Sequence, residues 1–278
     1  MRTPTDAAAI LALFEALALA AGRAVMEVFD RATMTAEEKA DHSPVTEADL
    51  ASERIILEGL RAGLPDLPVV SEEKASAGLA PHDPGEAFIL VDPLDGTREF
   101  VARNGDFTVN IALVREGRAE LGVVYAPCSR RFFSGRPGLA ETLVVSGDGS
   151  EILERRPVTV RPCAAPPRVV ASRSHRTPET DAFIRRLASA ELVSVGSSLK
   201  FCMIAEGEAD IYPRFGRTME WDTAAGDAVL RAAGGVTLGL DGKPLRYGKR
   251  PPLTGTDYEN PSFVAAGAED AVRGLLPG

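Results

Sequence analysis

Two carboxylates three residues apart sit on a turn made of a proline and a glycine: Asp92 and Asp95 of Val91-Asp92-Pro93-Leu94-Asp95-Gly96-Thr97. Pro93 fixes its own φ, and Gly96 permits backbone angles or a close approach that a side chain would obstruct. Both carboxylates can therefore curl toward one point, with the Leu94 carbonyl between them. Such hard oxygen donors suit Mg²⁺ or Mn²⁺ rather than zinc. Past the turn, the amides of Gly96 and Thr97 would open a helical turn and offer a cradle for phosphate. Taken alone, Asp-x-x-Asp-Gly is also an ordinary acidic turn at a strand end, and the residues leave both readings open.

The other polar groups have plain structural readings of their own. Thr46-Glu47-Ala48-Asp49 has the form of a capping box, which makes Asp49 part of a helix start. Glu72 and Glu73 follow a short apolar run, as adjacent carboxylates at a solvated edge do. Asp222 reads as a helix N-cap, and Lys200 and Arg214 read as surface charge. No side chain stands out as a committed nucleophile. A Cys-x5-Arg phosphatase loop and a Gly-x4-Gly-Lys-Ser/Thr nucleotide loop are both absent,.

The elements that must position these groups follow from periodicity. Thr3-Pro4-Thr5-Asp6 has the form of a helix start. Ile10, Phe14, Leu17, Ala21, Val25 and Val28 then recur at three- and four-residue spacing, predicting a long amphipathic helix. A second helix carries Leu50, Ile56, Leu57 and Leu60. Leu67 to Val70 predicts a strand that delivers Glu72, and Lys74 to Glu86, with two prolines, a mobile loop over the site. Ala87 to Val91 predicts the buried strand leading into the acidic turn. Thr108 to Val114 and Ala119 to Tyr125 form strands of a hairpin turning at Gly117, and Arg131 to Ser134 and Leu143 to Val145 continue an antiparallel sheet. After the proline-rich stretch 157–167, strands at Arg168 to Ala171 and Leu192 to Val195 alternate with helices at 177–179 onward, around Phe201 to Gly207, and from Ala224 to Ala233. The chain thus divides into an α+β half, residues 1–160, and an α/β half, residues 161–278, forming one compact catalytic unit.

Composition narrows the classes. The 278 residues carry 26% charged and 45% hydrophobic side chains and a formal net charge of −9, an ordinary globular balance. That charge argues against binding nucleic acid polymers, so an anionic substrate has to be met by local cations or metal. Cys128, Cys163 and Cys202 lack paired spacing and read as packing residues in a reducing compartment. Three histidines are too scattered for a histidine metal site. No signal peptide is evident, and the longest apolar runs fall short of a membrane span. A cytoplasmic protein with no integral membrane segment is expected.

Asp92-Pro93-Leu94-Asp95-Gly96-Thr97 and Trp221-Asp222-Thr223-Ala224-Ala225-Gly226 resemble the two signature elements of the inositol monophosphatase superfamily of metal-dependent, lithium-sensitive phosphatases. Thr97-Arg98-Glu99-Phe100, Asn104 to Asn110 and Gly196-Ser197-Ser198-Leu199-Lys200-Phe201 resemble its CysQ-type 3′(2′),5′-bisphosphate nucleotidase branch. The resemblance implies a layered αβαβα sandwich and two or three Mg²⁺, with Mn²⁺ a substitute. Their ligands would be Glu72, Asp92, Leu94 (through its carbonyl), Asp95 and Asp222, with Asp49 facing the cluster mostly through water. Glu72 and Thr97 would orient the attacking water, and the amides of Gly96 and Thr97 would hold the phosphate. Ser197, Lys200 and Arg214 match the positions that hold the uncleaved 5′-phosphate, and Ser174 and His175 would approach the nucleoside.

The implied reaction is removal of the 3′-phosphate of adenosine 3′,5′-bisphosphate, giving AMP and phosphate, in sulfur metabolism. The enzyme would act on this small nucleotide as a monomer or homodimer. Two rivals are an inositol or other small sugar-phosphate phosphatase and a non-catalytic nucleotide- or metal-binding protein. The first would be expected to carry an acidic residue several places before Trp221-Asp222, where Arg214-Phe215-Gly216 stands instead. Arg217 departs from the proline expected in the nucleotidases.

Overall fold

The computed structural model describes residues 6–31, 36–38, 44–172, 176–187, 189–249 and 257–276. Helix α1 (Ala7–Phe29) starts where the Asp6 carboxylate accepts from the Ala8 amide at 3.2 Å,. Its buried stripe holds Ile10, Phe14, Ala18, Ala21, Val25 and Val28. Strands β1 (Ala36–Glu38) and β2 (Pro44–Thr46) pair into a small antiparallel ribbon. Helix α2 (Glu47–Gly63) opens on a reciprocal capping box between Thr46 and Asp49,.

Strand β3 (Val69–Ser71) leads into the short helix α3 (Glu72–Ser76), and β4 (Ala87–Asp95) into α4 (Thr97–Val101). A meander then runs through β5 (Thr108–Arg115), β6 (Arg118–Ala126), β7 (Arg131–Arg136), β8 (Leu139–Val145) and β9 (Ile152–Val158). These seven strands form one sheet in sequence order, antiparallel throughout except for the parallel pair β3–β4. Strand β9 has no counterpart in the sequence reading. Its Glu154-Arg155-Arg156-Pro157 core is exposed and lacks apolar alternation, as suits a sheet edge protected by charge and proline,.

The second sheet comes from β10 (Arg168–Ser172), α5 (Pro178–Arg186), β11 (Glu191–Val195), α6 (Leu199–Ala205), β12 (Ile211–Arg214), α7 (Ala224–Ala232), β13 (Val236–Gly239), β14 (Phe263–Ala266) and α8 (Asp270–Arg273). Its order is β11-β10-β12-β14-β13, parallel across the first three strands and antiparallel beyond.

Alternation along the strands assigns the layers. Ile89 and Val91 of β4 join the core with α1 and α2, while Phe88 and Leu90 join the core of α6 and α7. That second core also takes Val170, Tyr212, Phe263 and Ala265 from the inner face of the five-stranded sheet. The outer face of the same sheet packs Val169, Ile211 and Val264 against Phe183 of α5 and Val272 of α8. The order of layers is therefore helix, sheet, helix, sheet, helix. Helix α7 lies close on the first sheet because Gly122 and Gly135 leave room. A Cβ on Gly122 would stand 2.5 Å from the Ala225 carbonyl oxygen, and one on Gly135 would stand 2.6 Å from Val229 Cα.

Helix α1 is long and apolar enough to cross a membrane by length and composition, and half of its most apolar stretch is buried in the protein. Two expectations need correction. Only Cys202 is a packing residue. Cys128 and Cys163 are exposed, the former in the turn between β6 and β7 and the latter in the segment joining the two sheets. Leu50, placed with the apolar residues of α2, is 56% exposed.

Candidate active site

The register of two parallel strands brings the first acidic pair together. Strands β3 and β4 pair Val69 with Ile89, Val70 with Leu90 and Ser71 with Val91. The next residue on each is Glu72 and Asp92, so the two stand side by side where β3 ends at its carboxyl end, the kind of place where α/β folds bind ligands,. Strand β4 then bulges against β5. Asp92 pairs with Asn110 and Asp95 with Thr108, three residues against two. The extra residue re-aims Asp95. Pro93 has no amide to lose from the ladder, and its carbonyl accepts from the Ser52 hydroxyl of α2 at 2.6 Å. The Leu94 amide donates to Asp92 Oδ1 at 3.1 Å, folding the turn back on itself.

Gly96 is left-handed, with φ of 93°, and caps α4; a Cβ there would meet the Asp106 carbonyl oxygen at 3.0 Å,. Thr97 follows directly. Its hydroxyl lies 3.1 Å from the Leu94 carbonyl oxygen and 3.2 Å from Asp49 Oδ1. Asp49 Oδ2 meanwhile accepts from the Thr46 amide at 2.8 Å and the Thr46 hydroxyl at 2.6 Å. The buried Asp49 is thus a helix-start residue and a partner of Thr97 at once.

Asp222 arrives from the other side of the cleft. The N-cap reading of this residue is corrected: α7 begins at Ala224 with Thr223 as its N-cap. Asp222 stands one residue too early to reach the helix amides, and its Oδ2 closes the preceding turn by accepting from the Met219 amide at 2.8 Å.

Glu72, Asp92, Leu94, Asp95, Gly96, Thr97, Ser197, Lys200, Arg214 and Asp222 all line one cleft of about 1110 Å³. Asp49 lies behind Thr97. Ser174 and His175 fall outside the described residues. From the loop after α3, Pro81 and His82 line the same cleft, and from the far rim Tyr258, whose hydroxyl donates to the Pro81 carbonyl oxygen at 3.3 Å.

The acids feel one another. Burial, then the charges of Asp95 and Glu72, push the Asp222 carboxyl up to about 8. Burial likewise raises Asp95, with Lys200 and Ser198 acting against it and Glu72 adding to it. Among the described residues no three His, Cys, Asp or Glu side chains close on a single point. Glu72, Asp92, Asp95 and Asp222, expected to aim at one place, line one cleft without closing on one point. The donor set still fits a hard divalent cation: carboxylate oxygens and a carbonyl in one concavity, with Asp95 and Asp222 raised in part by neighbouring carboxylates and a positive charge the natural counterweight.

Beside this acidic region lies a basic one. Lys200 and Arg214 are both buried. Desolvation, opposed by Asp95 and reinforced by the nearby Arg214 charge, lowers the Lys200 ammonium to about 8. Its Nζ rests 5.4 Å from the centre of the Tyr212 ring and donates to the Ser197 carbonyl oxygen. Arg214 donates through Nη2 to the Arg217 carbonyl oxygen at 2.6 Å, while its Nε has no partner among the described residues. The Ser197 hydroxyl is also buried, with no partner among the described residues, on a backbone with φ of 48°. Such strain in a non-glycine residue is common where a ligand is gripped.

Sequence reasoning gave no role to Ser198 or Asn110. The Ser198 hydroxyl accepts from Asn110 Nδ2 at 2.9 Å and lies 3.0 Å from Asp95 Oδ2. Two adjacent serines offered no means of telling which one faces the acids.

The profile of the inositol monophosphatase family matches residues 6–273. The chain is 47% identical over 248 residues to the 3′(2′),5′-bisphosphate nucleotidase CysQ of Escherichia coli O157:H7, covering 89% of this chain and 95% of that one. The crystal structure of CysQ from Bacteroides thetaiotaomicron, a bacterial member of the inositol monophosphatase family, aligns with a TM-score of 0.75 at 36% identity over 92% of this chain and 97% of that one. The Thermotoga maritima inositol monophosphatase aligns with a TM-score of 0.74 at 23% identity over 96% of each chain, a likeness of fold.

Proposed function

The chain belongs to the inositol monophosphatase family and is one of its bisphosphate nucleotidases; we propose that it removes the 3′-phosphate of adenosine 3′,5′-bisphosphate, giving AMP and phosphate. The family is metal-dependent, and Mg²⁺ is the proposed ion, two or three per site, with Mn²⁺ able to replace it. One observation carries the choice of substrate. Two buried cations, Lys200 and Arg214, stand close enough to repel each other in the same cleft as the acids. Their backbone contacts and the nearby acids offset part of that cost, Arg214 Nε remains without a partner among the described residues, and a second anionic group on the substrate would complete the balance. Arg214 offers a planar fork to a phosphate, Lys200 a point charge and Ser197 a hydroxyl. The uncleaved 5′-phosphate is that group.

Glu72, Asp92, Asp95 and Asp222 would hold the ions through carboxylate oxygens, and Leu94 through its carbonyl. Bound divalent ions lower the pKa of water and offset the charge of the phosphoryl group. Thr97 donates its hydroxyl proton toward Asp49, which leaves an Oγ1 lone pair to accept a proton of the attacking water. Glu72 takes the other side of that water as a general base. The amides of Gly96 and Thr97 hold the phosphoryl oxygens through which charge passes during in-line attack. Residues 1–160 thus contribute Glu72 and the Asp92–Thr97 turn, and residues 161–278 contribute Asp222 and the 5′-phosphate grip. The exposed, unpaired thiols of Cys128 and Cys163 support a reducing cytoplasm as the setting.

A phosphate-release panel tests the reading. Adenosine 3′,5′-bisphosphate, adenosine 3′-monophosphate and inositol 1-phosphate are compared with Mg²⁺, with and without Li⁺. Preference for the bisphosphate and inhibition by Li⁺ are expected; preference for inositol 1-phosphate would overturn the proposed substrate.

A further inference from the structure

The N-cap position of α6 belongs to Ser198, a residue type that ordinarily turns its oxygen onto the helix amides. Here it makes no such bond. Its hydroxyl, in a side chain only 2% exposed, lies 2.6 Å from the Asp222 carbonyl oxygen and 3.0 Å from Asp95 Oδ2, and accepts from Asn110 Nδ2 at 2.9 Å. Asn110 Nδ2 is itself 3.5 Å from Asp95 Oδ2. Four segments therefore meet at one oxygen: the β4 turn, strand β5, the start of α6 and the turn before α7.

We infer that Ser198 is a positioning residue, whose hydroxyl holds the Asp95 carboxylate in place and ties it to the loop that carries Asp222. This rests on the metal-dependent phosphatase reading above. A hydroxyl has one proton to give. With Asn110 donating into a lone pair, that proton is shared between the Asp222 carbonyl and the Asp95 carboxylate, so one hydroxyl ties both to the same point. In a buried site an unmet polar group is costly. The hydrogen bonds behind a ligating carboxylate fix its orientation and tune its grip on the ion. The neighbouring Ser197 has the complementary arrangement, with a hydroxyl that no described residue engages. One hydroxyl of the pair is taken up by the protein, and the other is buried with no partner among the described residues.

The test compares wild type, Ser198→Ala and Ser198→Thr by calorimetric titration with Mg²⁺ alone, by steady-state kinetics and by thermal unfolding. Ser198→Ala is expected to weaken Mg²⁺ binding and lower kcat by about 10- to 100-fold, with KM for the nucleotide little changed. Ser198→Thr, which keeps the hydroxyl, restores both. Wild-type Mg²⁺ affinity and kcat in Ser198→Ala would overturn the inference, as would a loss of thermal stability alone. If Ser198→Ala does not fold, Ser198→Cys, close in size and a poor hydrogen-bonding group, carries the same expectations. A wild-type protein that binds no Mg²⁺ and releases no phosphate would instead overturn the functional reading.

Discussion

The Thr97 hydroxyl stands 3.2 Å from Asp49 Oδ1, joining the first residue of α4 to the first turn of α2 across 48 positions of sequence. Asp49 is held from behind by the amide and hydroxyl of Thr46, so the capping box of α2 also fixes where the Asp49 carboxylate meets the Thr97 hydroxyl, whose other acceptor is the Leu94 carbonyl. Thr97→Val is expected to lower kcat by about 10²-fold or more, with little effect on KM, while Thr97→Ser retains most activity. Asp49→Asn, which replaces one of the two acceptor oxygens by a donor, lowers kcat as well. Steady-state phosphate release measures each; an active Thr97→Val would remove Thr97 from the proton path.

The proposed grip of Lys200 and Arg214 on the 5′-phosphate predicts a preference for substrates with a second phosphate. Either residue changed to Met is expected to raise KM for adenosine 3′,5′-bisphosphate by about 10- to 100-fold, as the loss of a charge-assisted contact of ~1.5–3 kcal/mol implies. Turnover of adenosine 3′-monophosphate, which lacks the 5′ group, should hardly change. Equal losses on both substrates would place the two cations elsewhere in the reaction.

The lowered Lys200 pKa makes that preference depend on pH. The ammonium form is the one proposed to hold the 5′-phosphate, and the free enzyme loses it as pH rises through about 8. The ratio of kcat/KM for the bisphosphate over the monophosphate should therefore fall above pH 8, and Lys200→Met should flatten the profile. Stability carries the opposite sign. Between the folded value of about 8 and the ordinary 10.5, the unfolded chain binds the extra proton, so Lys200 contributes stability that grows with pH across that window and is lost as pH falls through 8. Thermal unfolding from pH 8 to 10.5, wild type against Lys200→Met, checks it.

Close contact of α7 with the first sheet holds the loop of Asp222 in place. Gly122→Ala would drive its Cβ against the Ala225 carbonyl, which no flexible side chain can relieve. A destabilisation of about 1–3 kcal/mol is expected, read from denaturant unfolding, with kcat falling alongside as Asp222 moves. An unchanged midpoint would mean that α7 shifts freely.

The parts legible in the sequence were those fixed by local chemistry. The Thr46–Asp49 capping box, the β5–β6 hairpin at Gly117 and the buried run before Asp92 each carry their signal within a few residues. Strands β13 and β14 do not: Val236–Gly239 and Phe263–Ala266 are four residues each and acquire their identity by pairing with each other and with β12. The site divides in the same way. The acids were visible as residue types, but the turn closed by Asp222 and the inward-facing hydroxyl of Ser198 depend on where α7 and α6 begin, to within one residue. The depressed Lys200 ammonium likewise follows from burial beside Arg214, which spacing does not encode.

The acids around the cleft are proposed to act together on a phosphate ester through divalent ions. The most direct test of this is release of phosphate from adenosine 3′,5′-bisphosphate by wild type and Asp95→Asn, with Mg²⁺ and after chelation. Mg²⁺-dependent release of the 3′-phosphate by wild type, and a loss of more than about 10²-fold in Asp95→Asn, are predicted. Undiminished release by Asp95→Asn, or by wild type after chelation, would contradict the account.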